Sequence, residues 1–157
     1  MSGKIDARLA ELGITLPDAQ SPVANYVPSV RTGNLIYLSG LGPMKAADGT
    51  RPIGKLGQDF DTQQGYDAAR LVGINMLARI RQAVDGDFDR VKQVVKLLSM
   101  VNSTGDFTEH PKVANGCSDL LVEVFGDVGR HARSAVGMGN LPGNIPIEIE
   151  AIIEVSD

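Results

Sequence analysis

The chain of 157 residues carries 15 Lys and Arg against 19 Asp and Glu, for a net charge of −4, and 43% of it is hydrophobic. This length suits a single domain, 1–157, and no stretch approaches the roughly 20 apolar residues of a membrane span. The acidic balance, the absence of a basic cluster and the 4% aromatic content argue against nucleic acid as a partner. A single cysteine, Cys117, and an N-terminus without a secretory pattern lead us to expect a cytoplasmic protein that binds no membrane.

The first half of the chain alternates short β patterns with helical ones. Asp61 and Gln64 resemble a capping box, and Asp85-Gly86 supplies a helix stop. Apolar periodicity and turn residues predict these elements: a helix over 3–12, strands over 26–31 and 35–39 that form a hairpin, an exposed loop over 45–59 that could include a short strand, and a helix over 62–84.

The second half predicts a strand over 92–101, a helix over 108–125, and two C-terminal strands over 132–139 and 147–155 that form a second hairpin. In the last run, isoleucine, alanine and valine alternate with glutamates, which is typical of a strand with one face in a core. Together these elements predict an α+β fold: a single mixed sheet of about six strands with two long helices packed on one face. The uncovered face leads us to expect self-association.

Arg133 is the candidate ligand anchor. On a strand it shares a face with Ala135 and Gly137, which leave room beside the guanidinium for a small planar anion. Arginine binds a carboxylate through two parallel hydrogen bonds that fix its orientation. Glu148, on the run expected to be its neighbour, could hold or deprotonate a water. The alternative is a surface ion pair of Arg133 with Glu148 or Glu150, worth about 0–1 kcal/mol.

Other candidate sites have simpler interpretations. Neither His110 nor His131 lies in a metal-ligand spacing, so a zinc site is not expected. Cys117 lies on the apolar side of a predicted helix, where a buried inert thiol is the expected state. Ser39-Gly40 could place a hydroxyl and a bare backbone beside a ligand, or could simply end a strand.

Several motifs together resemble the YjgF/RidA family of reactive intermediate deaminases, also described as endoribonuclease L-PSP-like. The C-terminal motifs are A-R-S at 132–134, L-P at 141–142 and I-E-I-E-A-I at 147–152; Asn25-Tyr26-Val27 and Leu38-Ser39-Gly40 add weaker matches. The resemblance covers roughly residues 22–155. It implies a chorismate-mutase-like fold, a homotrimer with clefts between subunits, and hydrolysis of enamine or imine intermediates such as 2-aminoacrylate to 2-keto acids and ammonia.

By the same resemblance, Arg133 would hold the substrate carboxylate and Glu148 would position the attacking water. Tyr26 would line the cleft, and backbone near Ser39, Gly40 and Ala135 would contact the reacting end. No metal or organic cofactor would be needed, since an imine carbon is already electrophilic.

This chain departs from the family pattern at Ala135, where the deaminases typically have Cys, and at Leu41, where they have Gln. Residues 1–20 form a longer N-terminal extension than usual. The departures suggest a divergent subgroup that keeps the carboxylate anchor and alters the wall of the pocket.

Two further functions compete with deamination. One is non-catalytic binding of small carboxylates, for which Arg133 is needed and Glu148 is not. The other is a ribonuclease activity, which the acidic balance and scarce aromatics disfavour.

Overall fold

In a computed structural model, residues 3–19 and 21–157 are described, and they form three α-helices and one five-stranded sheet. The helices and strands are α1 (Lys4–Glu11), β1 (Ser29–Thr32), β2 (Leu35–Leu41), α2 (Thr62–Ala83), β3 (Val91–Asn102), α3 (His110–Phe125), β4 (Ala132–Met138) and β5 (Ile147–Val155). The α+β class and the two long helices are confirmed. The prediction of about six strands is one too many, because the segment 45–59 contributes only isolated bridges at Leu56.

The strand order is β1-β2-β5-β3-β4, so the predicted C-terminal hairpin is wrong. β3 lies between β4 and β5, pairing parallel with β4 and antiparallel with β5. A parallel neighbour requires a crossover, and α3 supplies it between β3 and β4. The short connection from β4 to β5 passes over the end of β3, where the backbone N–H of Asn102 donates to the carbonyl of Pro146 at 2.9 Å.

The helices α2 and α3 cover one face of the sheet and enclose the core. Alternate residues of β5, from Ile147 to Val155, are buried beneath them, as the sequence pattern predicts. The two helices approach closely, since a Cβ added at Gly116 would lie 2.0 Å from the carbonyl oxygen of Tyr66. The backbones of the two helices are therefore in direct contact at this glycine.

Local sequence signals explain where α2 begins and ends. Asp61 accepts a hydrogen bond from the Gln64 backbone at 2.8 Å, and the Gln64 side chain accepts one from the Asp61 backbone at 2.9 Å, which completes the predicted capping box. After the helix, Asp85 and Gly86 both have positive φ. No helix within the described residues is long and apolar enough to cross a membrane.

The opposite face of the sheet carries no helix in the described part of the chain. Its side chains include glutamates of β5 and exposed apolar groups. The large exposed hydrophobic residues on it are Val30, Tyr37, Val136 and Met138. Exposed apolar area of this kind on a sheet is typical of a surface that another protein chain covers.

Candidate functional site

Arg133 lies on the edge strand β4 and faces the helices. It pairs in register with Leu97, whose side chain is fully buried on the helix-covered face. Its NH1 donates to Oδ1 of Asn115 at 2.9 Å and to Oγ of Ser118 at 3.0 Å, and its NH2 lies 3.3 Å from the carbonyl oxygen of Pro111. The guanidinium is therefore held by neutral acceptors of α3. The alternative ion pair with Glu148 or Glu150 is wrong.

Ala135 and Gly137 follow Arg133 on the same face of β4, as predicted. They pair in register with Ser99 and Val101, which are buried on the helix side. A Cβ at Gly137 would lie 2.6 Å from Nε2 of His110, so only glycine fits at that position without movement. The strip beside Arg133 is thus made of backbone and one methyl group. Because β4 has no strand beyond it among the described residues, this strip lies at the free edge of the sheet.

Glu148 lies on β5 and faces away from the helices, on the open face. It pairs with Met100 of β3, and the intervening strand separates it from β4. The expectation that Glu148 and Arg133 lie on neighbouring strands is therefore wrong. Partial burial raises the pKa of Glu148, and the nearby negative charge of Glu150 raises it further. A carboxylate with a raised pKa is a stronger base than an ordinary glutamate, which is the property that a general base needs.

Gly40 brings a bare backbone against Glu148. A methyl group added at Gly40 would lie 2.1 Å from Oε1 of Glu148. The pairing of β2 with β5 is irregular between Leu38 and Leu41, so Ser39 and Gly40 lie in a β-bulge. Bulges often change the direction of a strand next to functional sites. Here the bulge places Gly40 beside the Glu148 carboxylate, where the absence of a side chain leaves room for it.

Tyr26, Ser39 and Gly40 line one cavity of about 390 Å³. Tyr26 is half exposed, so its phenol is accessible from solvent. The hydroxyl of Ser39 donates to the carbonyl oxygen of Val27 at 2.7 Å, which ties β2 to the segment that carries Tyr26. The Ser39 side chain is therefore engaged in this internal bond, and the contact of its backbone with a ligand stays a prediction.

The structure thus divides the predicted site residues into two groups. Tyr26, Ser39, Gly40 and Glu148 lie around the β2 bulge, whereas Arg133 and Ala135 lie at the β4 edge on the opposite face. Within one chain, Arg133 and Glu148 therefore do not share a site.

Sequence reasoning missed the residues that hold Arg133. Asn115 and Ser118 stand three positions apart on α3, so they project from one side of the helix. This polar pair was the available signal. The buried Arg79 of α2 was also missed, although a cation among Met76, Leu77 and Ile80 stands out in an apolar stripe.

The cysteine and the two histidines are buried or hydrogen-bonded within the chain. Burial raises the pKa of the Cys117 thiol to about 12, which agrees with the prediction of an inert cysteine. His110 and His131 each hydrogen-bond to a serine. Within residues 3–19 and 21–157, no three His, Cys, Asp or Glu side chains cluster closely enough to hold a metal ion.

The five-stranded sheet with two long helices on one face defines a chorismate-mutase-like α+β protein. A family model described as "YjgF/chorismate mutase-like, putative endoribonuclease" matches residues 6–149. The chain belongs to this YjgF family, as the sequence motifs suggested.

Three relatives illustrate the match. Protein TCP17 of Trypanosoma cruzi is 43% identical over 157 residues, covering 99% of this chain and 97% of its own. The crystal structure of Atu1372, a protein of unknown function from Agrobacterium tumefaciens, has a TM-score of 0.88 and 44% identity, over 97% of this chain and 92% of that one. A 2-iminobutanoate/2-iminopropanoate deaminase of Dermatophagoides farinae is 29% identical over 142 residues, covering 90% of this chain and 94% of its own. The family therefore includes imine deaminases.

Proposed function

We propose that this protein hydrolyses small imino acids to 2-keto acids and ammonia, in clefts between the subunits of a homotrimer. The observation that carries the proposal is the division of the site: Arg133 lies at the free β4 edge, while Glu148 lies against Gly40 on the open face. A second copy whose edge meets the open face of the first would join the two groups in one cleft. The deaminase among the relatives supports the choice of reaction.

The geometry suits imine hydrolysis. The guanidinium of Arg133 binds the substrate carboxylate and fixes the position of the neighbouring C=N carbon. Glu148 takes a proton from a water molecule whose oxygen adds to that carbon, which breaks the C=N π bond. The proton then passes to the nitrogen, which gives a carbinolamine. A second proton moves from the new hydroxyl group to the nitrogen, so the C–N bond breaks to release ammonia and leave a C=O group. Atoms balance as imino acid plus water to keto acid plus ammonia.

The open face supports the assembly. Val30, Tyr37, Val136 and Met138 are 54%, 44%, 40% and 37% exposed, although all four are large hydrophobic residues. Covering them with a neighbouring subunit removes apolar area from water, at about 25 cal/mol per Å². Sedimentation equilibrium is expected to give a trimer at micromolar concentration, and a stable monomer would remove the shared cleft.

Subunit mixing tests the division of the site directly. Arg133→Ala is expected to remove nearly all turnover of 2-aminoacrylate, and Glu148→Gln to lower it by about 10²–10⁴. Trapping with semicarbazide measures the turnover. When the two variants are unfolded together and reassembled as mixed trimers, about one quarter of the clefts should receive an intact Arg133 from one subunit and an intact Glu148 from the other. Activity should therefore return to about a quarter of the wild-type level.

The controls are the two variants reassembled separately, which should keep only their residual turnover. No recovery in the mixture would contradict a site shared between subunits. Wild-type protein that binds pyruvate but turns over no imine would favour the second candidate, a non-catalytic binder of small carboxylates.

A further inference from the structure

The cavity beside the β2 bulge extends past the residues expected to meet the reacting atoms. Its volume of about 390 Å³ lies in the range of pockets that hold complete small-molecule ligands. A three- or four-carbon imino acid would fill only part of it. Tyr26, Ser39 and Gly40 form one side, and two arginines, Arg51 and Arg79, also line it.

Arg79 projects from α2 and is only 6% exposed. Its NH1 donates to Oε1 of Gln82 at 2.7 Å, which orients the guanidinium. Burial lowers the pKa of Arg79, and Tyr26 acts in the opposite direction, so the phenol lies within electrostatic range of this cation. One turn earlier, Nδ2 of Asn75 donates to the carbonyl oxygen of Gly42 at 3.0 Å and fixes the loop that forms another wall.

Arg51 reaches the same cavity from the irregular segment after β2, and its side chain is exposed. No carboxylate is present among the described residues that line this cavity. Asp18 and Lys45 border a separate, smaller cleft that Arg51 also touches. Two guanidinium groups facing one concave space concentrate positive potential there and attract an anion.

We propose that Arg51 and Arg79 form a second anion subsite, so that the substrate is an imino acid whose far end carries a carboxylate or a phosphate. The statement about the substrate rests on the proposed deaminase function, whereas binding of the second anion does not. Arginine suits both groups, since its planar fork matches carboxylate and phosphate oxygens.

Calorimetric titration of the assembled protein with three keto acids tests the subsite without turnover. The probes are 2-ketobutyrate with one anionic group, 2-ketoglutarate with a second carboxylate, and 3-phosphohydroxypyruvate with a phosphate. One of the two larger probes is expected to bind about tenfold to a hundredfold more tightly than 2-ketobutyrate, the effect of hydrogen bonds to a charged group. The tighter of the two identifies which anion the subsite takes.

Arg51→Met should remove most of this preference, and its exposed position keeps the fold intact. Arg81→Met is the matched control: Arg81 lies on α2 two residues from Arg79, is half exposed beside Asp6 at 3.9 Å, and does not line the cavity. It should keep the preference. Equal affinity for all three probes, or equal effects of the two substitutions, would overturn the subsite.

Turnover separates the two proposals. If the preference for a dianionic keto acid depends on Arg51 while no imine is hydrolysed, the subsite stands and the deaminase function fails. If 2-iminobutanoate and 2-iminoglutarate are hydrolysed with equal kcat/KM and their keto acids bind equally, the function stands and the subsite fails.

Discussion

The guanidinium of Arg133 donates to Oγ of Ser118 at 3.0 Å, and this bond fixes the direction of a short chain of hydrogen bonds. Nδ1 of His131 lies 2.7 Å from the carbonyl oxygen of Gly129, so Nδ1 carries the proton. Nε2 then accepts from the Ser118 hydroxyl at 2.8 Å. Ser118 therefore orients Arg133 while donating its own proton to His131. Only a neutral His131 can accept that hydrogen bond.

The pH dependence of stability should report this chain. Burial, followed by the positive charge of Arg133, lowers the pKa of His131, while the bond to Gly129 acts in the opposite direction. Between the lowered folded pKa and the ordinary histidine pKa of about 6.5, His131 is therefore protonated in the unfolded chain but neutral in the folded chain. The stabilising contribution is fully present above that pH and is lost as pH falls through the folded pKa. In urea unfolding across pH 5–8, His131→Asn should lose less stability on acidification than the wild type. Parallel curves would remove His131 from this role.

Arg133→Lys should keep the fold but lose ligand affinity. A lysine ammonium cannot reproduce the planar fork that bonds to Asn115 and Ser118 and that, in the proposed function, also binds the substrate carboxylate. We expect a loss of about 1.5–3 kcal/mol in binding of pyruvate or 2-ketobutyrate, the scale of hydrogen bonds to a charged group. Calorimetric titration measures it, with thermal unfolding as the check on folding. Unchanged affinity would remove Arg133 from the site.

Glu148→Gln should separate turnover from binding. The amide cannot take a proton from water, so turnover should fall by about 10²–10⁴ while pyruvate affinity is kept. An equal loss of binding would instead make the carboxylate a structural group.

The pH dependence of folding stability tests the environment of Glu148 independently of turnover. The raised pKa of Glu148 means that its ionisation weakens the fold as pH rises from the ordinary glutamate pKa through the folded value. At neutral pH the glutamine variant, measured by urea unfolding, should be as stable as the wild type or more stable. A clear loss at pH 7 would contradict this.

Gly40→Ala tests the contact between the β2 bulge and Glu148. The added methyl would lie 2.1 Å from Oε1, so the carboxylate must move, and turnover should fall at least tenfold, a change of about 1.4 kcal/mol in the barrier. Gly105→Ala is the matched control, because nothing lies within 4 Å of its added Cβ and its φ is not positive. Steady-state kinetics on both variants, with circular dichroism to confirm folding, decides the point. Equal activity would show that the position of this carboxylate is not critical.

Elements with strong local signals could be predicted from the sequence. The capping box of Asp61 and Gln64 marked the start of α2 correctly, and the alternation in β5 placed Glu148 on the face away from the core. These features depend on neighbours along the chain, which periodicity records directly.

Strand pairing could not be predicted in the same way. The short connection between β4 and β5 suggested a hairpin, yet the loop bends over the end of β3 because Asn102 bonds to Pro146 and, through its buried side chain, to Asn144 and Ile145. Such contacts join residues more than 40 positions apart, and no local pattern encodes them. The mistaken expectation that Arg133 and Glu148 lie on neighbouring strands followed from that error. The partners of Arg133 on α3 were missed for the same reason.

The position of β5 also shapes how the chain reaches its native state. The strand Ile147–Val155 is last in sequence among the strands but lies in the middle of the sheet, between β2 and β3. During synthesis, the β1–β2 hairpin and the β3–α3–β4 unit are complete before this strand leaves the ribosome. Until then, β2 and β3 each present an unpaired edge, which invites pairing with another nascent chain. The nine residues of β5, which include Glu148, thus also join the two parts of the sheet. The edges of β2 and β3 stay exposed until β5 inserts between them.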